Sequence, residues 1–292
     1  MSFKILAIDG GGIRGIFPAY ILKRIKEEFN IKNITNEFDM IVGTSTGSII
    51  AGCLACGIEP DIIYNLYKNY GNKIFKKKLF SRISFNLFTP KYSKKVLEEL
   101  LDGIVCDIKL KNIKKRMIIT ATDVKHGKAI LFRSGVRSGK RGDVLLKNAI
   151  LASISAPYYF NFEEYNDSFL ADGGLWANNP SIVGFIEAKY HLKVKEEDIK
   201  ILSLGTGINK NKTFISHNRL KFSEIDDFIN LLLSLQANHL DALSYIMLKK
   251  NFLKVTFEEE NLSIDKLSPT FLEKTEIYYL AHKKQIEEFL KR

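Results

Sequence analysis

One stretch near the amino terminus limits the fold more than any other. Residues 4–8 read as an apolar run that ends in Asp9-Gly10-Gly11-Gly12, the pattern of a strand covered on both faces and stopped by a turn. From Ile16 the apolar positions fall at mostly three- and four-residue spacing through Tyr20, Ile21, Leu22, Ile25 and Phe29, as on one face of a helix. Residues 38–42 return to a short apolar run. Strand, glycine loop, helix and strand form a βαβ unit, whose crossover forces the two strands to run parallel.

The alternation continues along the chain. Residues 45–56, 60–70 and 144–154 read as helices, and residues 117–122 and 129–132 as strands around a turn at 125–128. Residues 199–204 form a further strand ending in Gly205-Thr206-Gly207, and residues 226–248 and 270–290 are helical. With no internal repeat and no linker rich in Gly, Ser or Pro, the expectation is one α/β domain over residues 1–292. Within it we expect a core over 4–207, a basic aromatic insertion or lid at 72–95, and a mainly helical part over 208–292. The expected architecture is a three-layer α/β/α sandwich around a mostly parallel sheet.

Composition excludes several classes. A chain of 292 residues that is 46% hydrophobic with 6 prolines buries a sizeable core and is neither disordered nor collagen-like. Three cysteines cannot build a disulfide framework, which points to a reducing compartment. Cys53-x-x-Cys56 with Cys106 supplies too few ligands for a structural zinc and reads as buried packing, so no metal or cofactor is expected. The amino terminus reads as a strand rather than a secretion signal. Residues 40–58 lack charge, but Gly43, Gly47, Gly52 and Gly57 dilute them too far for a membrane span. A cytoplasmic location with peripheral membrane association follows as the expectation.

Gly10, Gly12 and Gly15 satisfy G-x-G-x-x-G after a strand and before a helix, a pattern shared with dinucleotide sites. Such a site needs an acid at the far end of the second strand, whereas Asp39 stands at its start. The loop keeps its physical meaning all the same. Residues without a β-carbon let backbone N–H groups converge on an anion, and the following helix adds partial positive charge. That anion is either a standing phosphate or an oxyanion formed only during acyl transfer. A tight turn serving helix packing alone is the plain alternative.

Gly43-Thr44-Ser45-Thr46-Gly47 has the form G-x-S-x-G where a strand hands over to a helix, the context in which such a turn exposes a serine hydroxyl. Read alone, it is also an ordinary polar turn with a capping hydroxyl. Five histidines are present, His126, His191, His217, His239 and His282, and none lies beside a site-like segment. Asp172, at the end of an apolar run and followed by Gly173 and Gly174, is the better proton acceptor. Partial burial raises a carboxylate's pKa toward that task. An Asx-type turn explains the same residues equally well.

The three segments together, in this order, resemble the patatin-like phospholipases. That resemblance covers about residues 5–207 and extends to Ala152-Ser153-Ile154-Ser155-Ala156-Pro157, Trp176-Ala177-Asn178-Asn179-Pro180 and Ser203-Leu204-Gly205-Thr206-Gly207. It implies that Ser45 is the nucleophile and Asp172 its partner in a dyad without histidine. It implies that the loop of Gly10, Gly11 and Gly12 is the oxyanion hole, with Arg14 positioning that loop. The implied reaction is phospholipase A-type hydrolysis of membrane phospholipid esters through an acyl-enzyme. The resemblance also raises a role in antiphage defence with activation by a cyclic nucleotide, for which residues 134–141 and the region after Gly207 are the places to look. Self-assembly into a homo-oligomer is left open. The rival class is a non-catalytic module that holds a nucleotide or phosphate on the glycine loop.

Residues 72–95 hold eight basic side chains, no acid and five interleaved aromatics. Lys76, Lys77, Lys78, Phe80 and Phe85 are the candidates for contact with an anionic bilayer, against the plain reading of a solvated basic loop. The formal net charge of +11 would also suit nucleic acid, but no nucleic-acid motif accompanies it, so a polynucleotide partner is not expected.

Overall fold

The computed structural model describes residues 2–74, 90–210, 218, 224–260, 262–268 and 270–291. The candidate membrane contacts Lys76, Lys77, Lys78, Phe80 and Phe85 lie outside those residues.

Ten strands are described: β1 (Phe3–Ile8), β2 (Met40–Gly43), β3 (Arg116–Asp123), β4 (Lys128–Arg133), β5 (Glu163–Tyr165), β6 (Ser168–Asp172), β7 (Ile199–Leu204), β8 (Ile208–Asn209), β9 (Phe252–Val255) and β10 (Glu258–Glu259). The main sheet runs β5-β6-β3-β2-β1-β7-β9, with β4 on the other edge of β3. Within it β1, β2, β3, β7 and β9 are mutually parallel. The helices are α1 (Ile16–Glu28), α2 (Thr46–Ala55), α3 (Pro60–Ile74), α4 (Lys95–Val105), α5 (Leu146–Ser153), α6 (Gly174–Ala177), α7 (Ser181–Ile186), α8 (Ile225–Leu248) and α9 (Phe271–Lys291).

Alternation along β1 explains the layers. Leu6 and Ile8 enter the larger core with residues of α1, α2, α5 and α9, while Ile5 and Ala7 enter a second core with Phe185 of α7 and Leu248 of α8. A strand with both faces buried must be apolar at successive positions, which is why residues 5–8 carry no polar side chain. The result is the three-layer α/β/α arrangement that the sequence predicts.

Two features add to the sequence expectation. Beside its long helices, the chain after Gly207 contributes β9, which extends the main sheet by pairing with β7 from Ile201↔Phe252 to Leu204↔Val255. Of the basic residues at the described end of the 72–95 segment, Lys91 and Lys94 are drawn into the protein while Lys95 is exposed. Lys91 pairs with Asp265 at 3.1 Å and Lys94, 7% exposed, pairs with Glu163, while Tyr92 is buried. The segment contains no acid, and the partners of Lys91 and Lys94 come from distant parts of the chain, whereas Lys95 faces Glu99 one helical turn away at 3.9 Å.

The topology also brings two sequence-distant segments to one place. Gly43 of β2 pairs with Ile119 of β3, and there β2 ends. Beyond it, β6 pairs antiparallel with β3 from Ala121↔Asp172 to Asp123↔Leu170. Because β4 occupies the opposite edge over Ile118–Asp123, β2 and β6 share one edge of β3 in succession. The last residue of β6 therefore arrives where the chain turns away at the end of β2.

Candidate active site

Ser45 lies in the turn between β2 and α2, with φ 53° and ψ −123°. A non-glycine residue at positive φ stores strain and is held only by surrounding contacts, here those of a strand-to-helix elbow. Its N–H donates to Ser153 Oγ at 2.9 Å, and its carbonyl accepts from Ser48 Oγ at 2.6 Å. Gly47 permits this packing, since a β-carbon there would sit 2.1 Å from the Ile8 carbonyl oxygen.

The structure brings Ser45 and Asp172 together: Ser45 Oγ donates to Asp172 Oδ2 at 2.6 Å. The other carboxylate oxygen accepts the Gly174 N–H at 2.7 Å, which fixes the orientation of the group. Burial pushes the Asp172 pKa up to about 7, against the lowering effect of the bonds from Ser45 and Gly174. None of the described histidines lines the cavity at Ser45. His126 pairs with Asp123 at 2.9 Å in the β3–β4 turn and His282 faces the Tyr278 carbonyl within α9, while His217 lies outside the described residues.

The glycine loop follows β1 and leads through a short 3₁₀ turn, Gly12–Gly15, into α1. Gly10 donates its N–H to the Asn178 carbonyl at 2.9 Å, so that donor is already engaged. Gly11 and Gly12 line the Ser45 cavity, and their N–H groups have no acceptor among the described residues. Gly12 adopts φ +61°, and a β-carbon on it would meet the Ile264 carbonyl oxygen at 2.0 Å. Thr206 Oγ1 donates to the Gly10 carbonyl at 2.5 Å, and Ile13 donates its N–H to the Ile264 carbonyl at 2.9 Å. Arg14 is buried and donates from Nε to the Gly11 carbonyl at 3.2 Å, so it braces the loop from behind. Asp39 accepts the Lys4 N–H at 2.8 Å at the start of β2, away from the strand ends where a dinucleotide ribose would lie.

Next to Ser45 and Asp172 opens a cavity of about 660 Å³, its mouth included, walled by apolar side chains such as Ile49, Leu97, Ile154 and Phe160. A serine hydroxyl on a carboxylate, two free amide donors and an apolar cleft are the components of acyl transfer. Ser153, Asn178 and Thr206, which fasten the elbow and the loop, stand in segments named above for their resemblance to the family. Ile264, which accepts from Ile13, carries no sequence signal, because a backbone carbonyl does its work.

Cys53 is buried and Cys56 half-buried on α2, where burial pushes the Cys53 thiol up to about 12. Among the described residues no helix is long and apolar enough to cross a membrane, and no group of three or more His, Cys, Asp or Glu is placed to hold a metal. The 134–141 loop follows β4 at the end where Arg133 pairs with Ile118, on the side of the sheet away from Ser45.

Comparison with known proteins agrees with this architecture. The sequence profile of the patatin-like phospholipases matches residues 6–183, and the chain belongs to that family. It is 31% identical over 220 residues to a cGAMP-activated phospholipase of Escherichia coli, covering 70% of this chain and 62% of that protein. A cUMP-AMP-activated phospholipase, also of Escherichia coli, is 29% identical over 214 residues, covering 70% of this chain and 65% of the relative. The chain thus spans just under two thirds of the length of these curated relatives. Among solved structures, the heterodimeric ExoU-SpcU complex of the Pseudomonas aeruginosa type III secretion system superimposes with a TM-score of 0.51 at 13% identity, covering all of this chain and 52% of that one. That likeness concerns the fold alone.

Proposed function

We propose that this protein is a serine lipid acyl hydrolase of phospholipase A type. The observation that carries the reading is the 2.6 Å hydrogen bond from Ser45 Oγ to a buried Asp172, beside glycine amides that have no acceptor among the described residues. In the reaction, Asp172 takes the Ser45 proton as Oγ attacks an ester carbonyl. The developing oxyanion is held by the Gly11 and Gly12 N–H groups, which need no reorganisation to meet it. Collapse of the tetrahedral species expels the lysolipid alcohol, with the proton returned from Asp172. Water, activated by the same carboxylate, then attacks the acyl-enzyme and releases the fatty acid. The apolar cavity supports an acyl chain as the group bound next to the serine.

Activation by a cyclic nucleotide is the regulation this reading favours, supported by relatives whose names carry that property. A membrane surface as the site of action is supported by the substrate class and the basic charge of the chain. Labelling by a fluorophosphonate probe tests the hydrolase. Covalent capture that disappears in Ser45→Ala is expected, and an unlabelled native chain, with and without cyclic nucleotides, would refute it. Fatty-acid release from phospholipid vesicles, measured across a cyclic nucleotide panel, tests the regulation.

A further inference from the structure

The mechanism above leaves one buried charge cluster unused. Lys254, in the middle of β9 and 8% exposed, places Nζ 2.5 Å from Asp9 Oδ2, 3.0 Å from Asp241 Oδ1 of α8 and 3.2 Å from Ser203 Oγ of β7. Asp9 is the residue from which the glycine loop departs, and it is 4% exposed. Asp241 in turn accepts from Asn179 Nδ2 at 2.6 Å. The neighbouring Asn178 carbonyl is the acceptor that holds the Gly10 N–H at 2.9 Å.

These contacts close a ring. From Asp9 it passes through Lys254, Asp241, Asn179 and Asn178 and returns to Gly10, which is bonded to Asp9. The loop that offers the Gly11 and Gly12 amides is thereby tied to the segment that follows Asp172-Gly173-Gly174. Lys254 is the only cation of this ring, and β9 lies outside the span matched by the family profile. Taking charges out of water is costly, and a buried ion cluster of this kind is weak support for stability in itself. A fixed geometry beside the reacting atoms is a better return for that cost.

We propose that Lys254 is a positioning residue for the reaction: through Asp9 and Asp241 it fixes the Gly11 and Gly12 amides relative to Ser45 and Asp172. The inference rests on the hydrolase reading. A misplaced oxyanion donor weakens transition-state binding while leaving ground-state binding alone, so the loss falls on kcat rather than KM.

The test uses the full chain with a chromogenic acyl ester. Lys254→Met is expected to lower kcat by about 10²-fold, the scale of losing one oxyanion donor, with KM within about threefold. Affinity for a trifluoromethyl ketone, whose adduct carries the oxyanion, should fall in parallel, and binding of a free fatty acid should not. Lys254→Arg should recover part of kcat. Should Lys254→Met fail to fold, Asp241→Asn carries the test, since it removes one arm of the ring and keeps the Asp9–Lys254 pair; an intermediate kcat loss is expected there. Unchanged kcat in the folded variants, or a loss confined to melting temperature, overturns the positioning role. A native chain that neither turns over esters nor takes up a fluorophosphonate overturns the hydrolase reading and this inference together, whereas native turnover with unaltered variants overturns this inference alone.

Discussion

Asp172 is the register partner of Ala121 on β3, two positions beyond Ile119, the last residue of β3 that pairs with β2. One strand edge thus serves first the segment that carries Ser45 and then, running the other way, the segment that carries Asp172. Their separation of 127 residues in sequence becomes a hydrogen bond of 2.6 Å because β2 gives up that edge at the elbow.

Ser45→Ala and Asp172→Asn should each lower ester hydrolysis by about 10⁴-fold or more, as removal of a nucleophile or its base does in hydrolases of this logic. Both replacements fit the space of the native side chain, and unchanged circular dichroism would show an intact fold. Near-native turnover by either variant would remove the dyad from consideration.

The Asp172 carboxyl, with a pKa pushed up to about 7 by burial, accepts a proton only when ionised. The kcat/KM profile should therefore rise with pH through a limb near 7, measured on a soluble ester to keep bilayer effects out. Stability should move in the opposite sense. Folded Asp172 holds its proton to a higher pH than the unfolded chain, where the ordinary value is 3.8. The native state then binds more protons between those values, and its stability falls as pH rises through them. Asp172→Asn does not titrate, so its melting temperature relative to the native chain should be higher at pH 8 than at pH 4. A constant difference would contradict the shift.

Gly12→Ala and Gly57→Ala separate backbone strain from site geometry. Both positions have positive φ, +61° and +81°, but a β-carbon meets the Ile264 carbonyl oxygen at 2.0 Å in the first and nothing within 4 Å in the second. Gly57→Ala should cost about 1 kcal/mol of stability and keep probe labelling. Gly12→Ala should lose labelling because the loop must move. Equal labelling of the two would show that the Gly12 contact does not set the site.

Glu187 offers a control at the other end of the sheet. It is 4% exposed and receives Arg133 Nε at 2.9 Å and Arg137 Nε at 3.0 Å. Glu187→Ala leaves two guanidinium groups without their acid, and removing one partner of a buried ion pair costs about 3–5 kcal/mol. Partial exposure of the arginines makes the lower end, about 3 kcal/mol, the expectation in urea unfolding. Fluorophosphonate labelling at low temperature should be unaffected; its loss would mean that the 134–141 end of the protein reaches Ser45.

The parts of this structure that were legible in the sequence are those governed by local chemistry. The β1 run, the three glycines, the Gly43-Thr44-Ser45-Thr46-Gly47 turn and the aspartate before Gly173 each advertise a backbone event, and each lies where a strand ends. The helix α1 announced itself by apolar spacing. Strand β9 did not, because it has four residues and a lysine in its middle. Lys254 is tolerated there only because Asp9 and Asp241 wait for it, a tertiary fact with no local trace. Two basic residues of the 72–95 segment show the same dependence on tertiary partners: Lys91 and Lys94 look solvated beside one another, yet Asp265 and Glu163, distant in sequence, pair with them.

The glycine loop is stitched by Thr206 and Ile264 as well as by its own neighbours. During synthesis, a ribosome that has delivered Ser45 and Asp172 still owes the loop its last fastening until residue 264 has emerged. A chain ending before residue 264 would lack the carbonyl that holds the Ile13 N–H, so the loop reaches its final geometry only late in synthesis.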